Sequence, residues 1–294
     1  MIENGEVIRS RQNRTVVELA KLSDRKSRRE SERFRFDGLK LFGEAIKNGL
    51  EIETVFLRES NAAQIRTEAM RRYGEAAFSG EGRIVLLSDE LFDRISEEKS
   101  PEGLICVAKY IDKFKKIVTI YNSTDFHQIG NEKIVLLESV RDPSNLGAII
   151  RSAAAMGIDR LILSADCADI YNAKTLRASM GAVFNRRIDT VENMPSVIAQ
   201  LRESGRRVFA AALDGEAKTL GCFALREGDC VVIGNEGHGL SAETIAACDM
   251  RVFIPMSGYV ESFNAAVAAS ILMWEFSGRG SCKDCFDSSC KKKD

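Results

Sequence analysis

Short apolar runs alternate with amphipathic stretches along most of this chain. Residues 39–50, LKLFGEAIKNGL, carry apolar side chains at helical spacing and lead into ETVFLR, a strand-like run. The alternation continues with a helix expected over 61–73, a strand at RIVLLS, a helix over 89–97 and a closing strand over 103–110. These elements make a small α/β unit of the size of one domain. Between 111 and 132 the pattern degrades into mixed, polar sequence, which reads as a linker. From residue 133 it becomes regular again: KIVLLESV, RLILSA, RRVFAAAL, DCVVIGN and MRVFIPM are apolar runs separated by helical or loop stretches. Near-continuous apolar strands are buried on both faces, so this half is expected to be an α/β sandwich with a mostly parallel sheet. In such sheets ligands bind beyond the carboxyl ends of the strands, which is where chemistry should be sought. A helix over 262–276 closes the pattern, followed by a polar tail over 277–294.

Composition agrees with two folded domains: 294 residues, 45% apolar and 29% charged, exclude disorder throughout. The longest uncharged apolar stretch, 262–274, falls short of the ~20 residues that span a bilayer, so no membrane helix is expected. The opening MIENGEVIRSRQNR lacks the apolar core of an export signal. Without export, the eight cysteines read as cytosolic thiols and the protein as cytoplasmic. Cys106, Cys167, Cys222, Cys230 and Cys248 look like small residues in or near the core. The tail cysteines Cys282, Cys285 and Cys290 offer three thiolates where structural zinc takes four ligands, so a flexible tail without metal is the reading, with a metal or intermolecular site as the alternative.

Net charge is −1, but the average hides a cluster. Arg9, Arg11, Arg14, Lys21, Arg25, Lys26, Arg28, Arg29, Arg33 and Arg35 face only Glu18, Asp24, Glu30 and Glu32. Such a stretch is either a solvated helix face or a patch for polyanion backbone, and local charge alone does not choose.

Three strand ends carry candidate chemistry. In KIVLLESVRDPSNLGAIIRSAAAMG, Pro143 and Ser144 open a helix that carries Asn145 and an outward Arg151. In VVIGNEGHGL, Gly234, Gly237 and Gly239 permit close ligand approach, while Asn235, Glu236 and His238 put polar groups on the same turn. The spacing G-x-x-G-x-G is not the dinucleotide fingerprint, which argues against a nucleotide-dependent oxidoreductase. In FIPMSGYVESFNAAVAASILMWE, Pro255 and Gly258 break the strand, Glu261 or Ser262 begins a helix, and Asn264 lies in its first turn ahead of an alanine-rich stripe.

Taken in order, the three segments closely resemble the signature motifs of the SpoU (TrmH-like) RNA 2′-O-ribose methyltransferases of the SPOUT superfamily. Asn145, Gly147 and Arg151 fit the first motif. Gly234, Asn235, Glu236, Gly237, Gly239 and Leu240 fit the second. Ile254, Pro255, Met256, Gly258, Val260, Glu261, Ser262 and Asn264 fit the third, with Phe263 standing where the family usually has leucine. The resemblance covers about residues 133–276. Residues 36–110 more faintly resemble the RNA substrate-binding domain found ahead of the catalytic domain in many members.

This resemblance implies four stretches: 1–110, a basic segment and RNA-binding domain; 111–132, a linker; 133–276, a SPOUT methyltransferase domain with a trefoil knot; and 277–294, the tail. It implies S-adenosylmethionine as cofactor, contacted by Leu213, Gly234, Asn235, Gly239, Ile254, Met256 and Phe263. It implies a catalytic set of Asn145, Arg151, Glu236, Ser262 and Asn264, with Arg151 orienting phosphate and stabilising oxyanion charge, since a guanidinium rarely gives up its proton. A homodimer is implied, with Arg151 serving the partner's pocket. The RNA is expected to be large-subunit ribosomal RNA. Transfer RNA and a non-catalytic RNA-binding or ribosome-assembly role are the alternatives.

Overall fold

The computed structural model describes residues 6–78, 82–111, 132–213, 215–235, 237–258 and 262–278. It divides into two compact units: residues 1–115 with 169–185, and residues 116–168 with 186–294. The segment Asp169–Asn185 thus belongs to the first unit although it lies in the second half of the sequence.

The first unit is built on α1 (Arg14–Lys21), α2 (Arg25–Ser31), β1 (Arg33–Asp37), α3 (Leu39–Lys47), β2 (Ile52–Arg58), α4 (Ala62–Tyr73), β3 (Arg83–Leu87), α5 (Asp89–Ile95) and β4 (Leu104–Lys109). The sheet order is β1-β4-β2-β3, with β2 and β3 parallel and β4 antiparallel to both its neighbours. The strand β1 joins the set expected from sequence, its Phe34 and Phe36 fully buried.

The basic N-terminal segment forms a helical pair whose starts are set by side-chain caps. Asn13 accepts from the Thr15 N–H and Asp24 from the Ser27 N–H. Val16 and Leu19 of α1, with Leu22, pack on Phe56, Val85, Phe92 and Val107, so the basic residues ride on the outside of a core element. Two of the arginines are not on that outside. Arg28 is 3% exposed: its Nη1 donates to the Leu22 and Ser23 carbonyls, both at 2.8 Å, and its Nη2 to Asp169 Oδ2 at 2.6 Å. Arg35 is equally buried and pairs with Asp37. Both leave the set available to a polyanion, because a buried, paired guanidinium has no face to offer. On the other side of β1, Tyr171 stacks on Tyr110 with ring centroids 4.0 Å apart and meets Phe34 at 4.6 Å. Phe184 packs on Phe36. These rings, with α7 (Ala173–Ser179), make Asp169–Asn185 part of this unit's core.

The second unit contains β5 (Ile134–Leu137), α6 (Pro143–Met156), β6 (Arg160–Ser164), β7 (Arg187–Val191), α8 (Met194–Glu203), β8 (Val208–Ala211), β9 (Lys218–Thr219), β10 (Cys230–Ile233), α9 (Ala242–Ala247), β11 (Met250–Phe253) and α10 (Ala265–Phe276). Seven strands run in the order β7-β6-β5-β10-β8-β11-β9, every neighbouring pair parallel. The five apolar runs of the sequence become β5, β6, β8, β10 and β11, and the first four of these bury nearly every residue.

One face of the sheet is closed by Val197, Ile198 and Leu201 of α8 against Leu136, Ile162, Val208 and Val232. Elsewhere α6 and α10 pack together, Ser270 Oγ donating to Ser152 Oγ at 2.9 Å. The edge strands β7 and β9 do not announce themselves in the sequence. In β7 the apolar run is broken by Asp189, whose carboxylate holds the fully buried Arg160 at 2.9 Å.

Two local expectations change. The last helix starts at Ala265, and Asn264 is its N-cap rather than a residue of its first turn, because its Oδ1 takes the Ala266 and Val267 N–H groups. Cys222 is exposed, whereas Cys106, Cys167 and Cys230 are buried and Cys248 is half-buried. No helix among the described residues is long and apolar enough to cross a membrane. The tail cysteines, His127 and residues 112–131 of the expected linker lie outside the described residues.

Candidate active site

In the seven-stranded sheet β5, β10, β8 and β11 are consecutive parallel neighbours, so their carboxyl ends lie side by side and the segments leaving them meet. The segments leaving β8, β10 and β11, with the start of α10, line a cavity of about 530 Å³, within the range of small-molecule sites, and the segment leaving β5 adjoins it through Ser139, whose carbonyl accepts from Asn235. Leu213, Gly234, Asn235, Gly239, Ile254, Met256 and Phe263 all line it, and so does Ser262. The seven residues expected to hold a cofactor are therefore brought to one cavity. Val252, Ala268 and Leu272 add apolar wall, and His238 sits at its polar side.

The turn after β10 is closed on itself. The Asn235 and Gly239 backbones exchange hydrogen bonds at 3.1 and 3.0 Å, and Gly239 turns at φ +68°. A Cβ on Gly234 would lie 2.4 Å from the Gly239 carbonyl carbon and 2.6 Å from the Leu240 nitrogen. Main chain cannot yield there, so only glycine lets strand and turn approach this closely. The Asn235 side chain works at both ends. Its Oδ1 accepts from the Gly237 and His238 N–H groups, and its Nδ2 donates to the Ser139 carbonyl at 2.8 Å. A carboxylate would lose that last bond.

The first-motif helix α6 starts at Pro143 because Asp142 Oδ1 accepts from the Ser144 and Asn145 N–H groups. It ends where Gly157 adopts φ +71°. Asn145 in its first turn accepts a hydrogen bond from Asn264 Nδ2 at 3.0 Å, joining the first and third motifs. Arg151 is exposed and does not line the cavity. On an α-helix it stands ~9 Å further along the axis than Asn145 and about 120° round it, on a different face of α6. Glu236 lies outside the described residues.

Several residues at this edge escape sequence reasoning. Glu138, 8% exposed at the end of β5, accepts from the Ser241 N–H and hydroxyl and from the Thr244 hydroxyl. It pins the far end of the glycine turn to β5. Asp166, after β6, accepts from the Ser139 and Ser164 hydroxyls at 2.5 and 2.6 Å and from Arg141. Partial burial works to raise its carboxyl, but the bonds from Ser139, Ser164 and Arg141 prevail and hold it below the usual range. The only sequence signal was a polar residue closing each apolar run. No cluster of metal-ligating side chains occurs among the described residues.

The cavity fits S-adenosylmethionine. It offers an apolar wall from Leu213, Ile254, Met256 and Phe263 and a glycine turn whose main chain a ligand can approach.

Comparison with known proteins agrees with this geometry. The model of the SpoU rRNA Methylase family matches residues 132–274, and that of the MRM3-like substrate binding domain matches residues 13–106. The chain is 28% identical over 92% of its length to the 23S rRNA (guanosine(2553)-2′-O)-methyltransferase RlmP of Bacillus subtilis, 99% of which is covered. It is 34% identical over 54% of its length to a TrmH family tRNA/rRNA methyltransferase of Staphylococcus haemolyticus, 67% of which is covered. The crystal structure of an AdoMet-bound rRNA methyltransferase from Sinorhizobium meliloti superposes with a TM-score of 0.75 at 26% identity, covering 94% of this chain and 98% of that one. With the second and third motifs lining one cavity, the first tied to them through Asn145 and Asn264, and both RlmP and the Sinorhizobium structure matched along more than nine-tenths of the chain, the chain belongs to the SpoU rRNA methylase family.

Proposed function

We propose that this S-adenosylmethionine-dependent RNA 2′-O-methyltransferase acts on large-subunit ribosomal RNA, transferring a methyl group to one ribose 2′-hydroxyl. The observation that carries the reading is the cavity at the ends of β8, β10 and β11, where Gly234, Asn235 and Gly239 meet Ile254, Met256 and Phe263 beside the Asn145–Asn264 pair. The cofactor supplies an electrophilic methyl on a sulfonium. The chain's own residues do the rest. Leu213, Ile254, Met256 and Phe263 form the apolar wall, and the glycine turn lets main-chain groups hold the ligand. Asn145, Glu236, Ser262 and Asn264 fix the ribose by hydrogen bonds, and positioning of this kind supplies much of the rate. As the hydroxyl loses its proton, the Arg151 guanidinium stabilises the oxygen's growing negative charge.

Arg151 is exposed and does not line its own chain's cavity, and this supports a homodimer in which each Arg151 completes the partner's site. Trp274 and Val267 on α10 are 48% and 47% exposed, an apolar face suited to such an interface. The trefoil knot implied by family membership is part of the same reading, as is a cytoplasmic location, where ribosomal RNA is met. The ribosomal assignment draws on relatives that cover both units, RlmP being described as acting on 23S rRNA.

Labelled methyl donor offered with ribosomal and transfer RNA from a strain lacking the gene tests the assignment. Label is expected in large-subunit RNA and absent from transfer RNA. Label in transfer RNA alone overturns the substrate. Binding of both ligands without transfer supports a non-catalytic role.

A further inference from the structure

We infer that Arg141 grips the RNA backbone beside the ribose that is methylated, and that Asp166 is the positioning residue that holds Arg141 in place. The inference rests on the methyltransferase reading and names a contact for that same site.

Arg141 lies in the segment leaving β5, four residues before Asn145. Its side chain is 68% exposed, and its one hydrogen bond runs from Nη2 to Asp166 Oδ2 at 3.1 Å. A guanidinium carries five N–H donors, so most of the fork faces solvent at the edge where the motif loops converge. Asp166 has no freedom to follow a wandering arginine. One of its oxygens is held by the Ser139 hydroxyl and the other by the Ser164 hydroxyl, and Ser164 also accepts the Ser139 N–H at 2.9 Å.

Ser139 is the third part of the device. It adopts φ +56°, a left-handed conformation uncommon for a residue with a side chain. Its three polar groups are all engaged: the N–H by Ser164, the hydroxyl by Asp166, and the carbonyl by Asn235 Nδ2 of the glycine turn. The strained residue therefore stands where the wall of the cofactor cavity and the arm carrying Arg141 are joined. Such conformations persist when their surroundings over-determine them, and here three bonds from two segments, the end of β6 and the glycine turn, do so.

The ligand chemistry follows from the fork. Every ribose in RNA is flanked by phosphates, and a guanidinium pinned at one corner presents its remaining donors in the geometry that suits a phosphate's oxygens. Arg151 is exposed and does not line its own chain's cavity.

The test uses the full-length protein with unmodified large-subunit ribosomal RNA transcribed in vitro. Arg141→Ala is expected to raise the RNA KM about tenfold, lower kcat several-fold, leave the calorimetric affinity for S-adenosylmethionine unchanged, and reduce the salt slope of RNA binding by about one unit. Arg141→Lys should restore the slope but not kcat, because a point charge replaces a fork. Asp166→Asn keeps the arginine's charge and should keep the salt slope while lowering kcat several-fold, at an unchanged melting temperature. A purely structural role would instead lower the melting temperature and cofactor affinity together, and that result overturns the positioning role. An Arg141→Ala protein with parental KM and salt slope overturns the phosphate contact. Since the slope is read from binding alone, a parent that binds RNA without methylating it would refute the catalytic reading and still decide this one.

Discussion

Asn264 donates from its amide to Asn145 while its own oxygen caps α10. One side chain thus starts a helix and joins two motifs that lie 119 positions apart. Asp caps helices as well as Asn but has no amide to donate. Asn264→Asp should therefore melt within a few degrees of the parent yet lose methyl transfer by tenfold or more. Thermal unfolding and single-turnover transfer, measured on the same preparation, separate the two roles.

Gly234→Ala puts a methyl against main-chain atoms of Gly239 and Leu240. The turn has to move, and the cavity wall with it. Titration calorimetry is expected to show cofactor affinity lowered by at least tenfold, while circular dichroism stays parental because β10 itself is not touched.

Asp169→Ala leaves Arg28 buried without its carboxylate. Breaking a buried pair from one side costs about 3 kcal/mol or more, which urea unfolding will read as a lower midpoint. Cofactor affinity should not change, because every residue lining that cavity belongs to the other unit.

With Arg28 accounted for by the core, the polyanion reading of α2 rests on Arg25, Lys26 and Arg29. Replacing these three with alanine should weaken RNA binding most at low salt and flatten its salt dependence by about one unit per lost contact. Parental affinity and slope in filter binding would make α2 a solvated face only.

Acid should loosen α4 in a defined window. Hydrogen bonds from Arg71 and Arg72 pull Glu68 from 4.5 down to about 2. A carboxyl lowered in the folded state stabilises fully above its unfolded value, and that contribution is lost as pH falls through the folded one. Glu68→Gln should therefore make the melting temperature less dependent on pH between 4.5 and 2, the difference from the parent shrinking across that window and vanishing only below pH 2. Glu68 is half-buried and both arginines are exposed, so the effect should shrink in salt.

The cavity was legible because its makers are contiguous: Gly234, Asn235 and Gly239 stand in one turn, and Ile254, Met256 and Phe263 in the next. The buried strands were legible because an apolar run needs no partner to be recognised. What stayed hidden depends on distant pairing. Glu138 reads as an ordinary carboxylate until Ser241 and Thr244, more than a hundred residues away, donate to it. Asp166 and Ser139 mean little without each other. Arg28 looked like its neighbours because charge density does not tell which guanidinium is buried; only Asp169 does. The strand β7 was missed because Asp189, the partner of Arg160, breaks its apolar run.

The passage of Asp169–Asn185 into the first unit means that the chain enters and leaves that unit more than once. The two halves are therefore not separable by one cut. A fragment ending near Tyr110 would lack Tyr171 and Phe184, baring Phe34 and Phe36, and would leave Arg28 without Asp169. The complementary fragment would carry those same rings with no sheet to receive them. Isolating the first unit requires a graft of 169–185 onto its end.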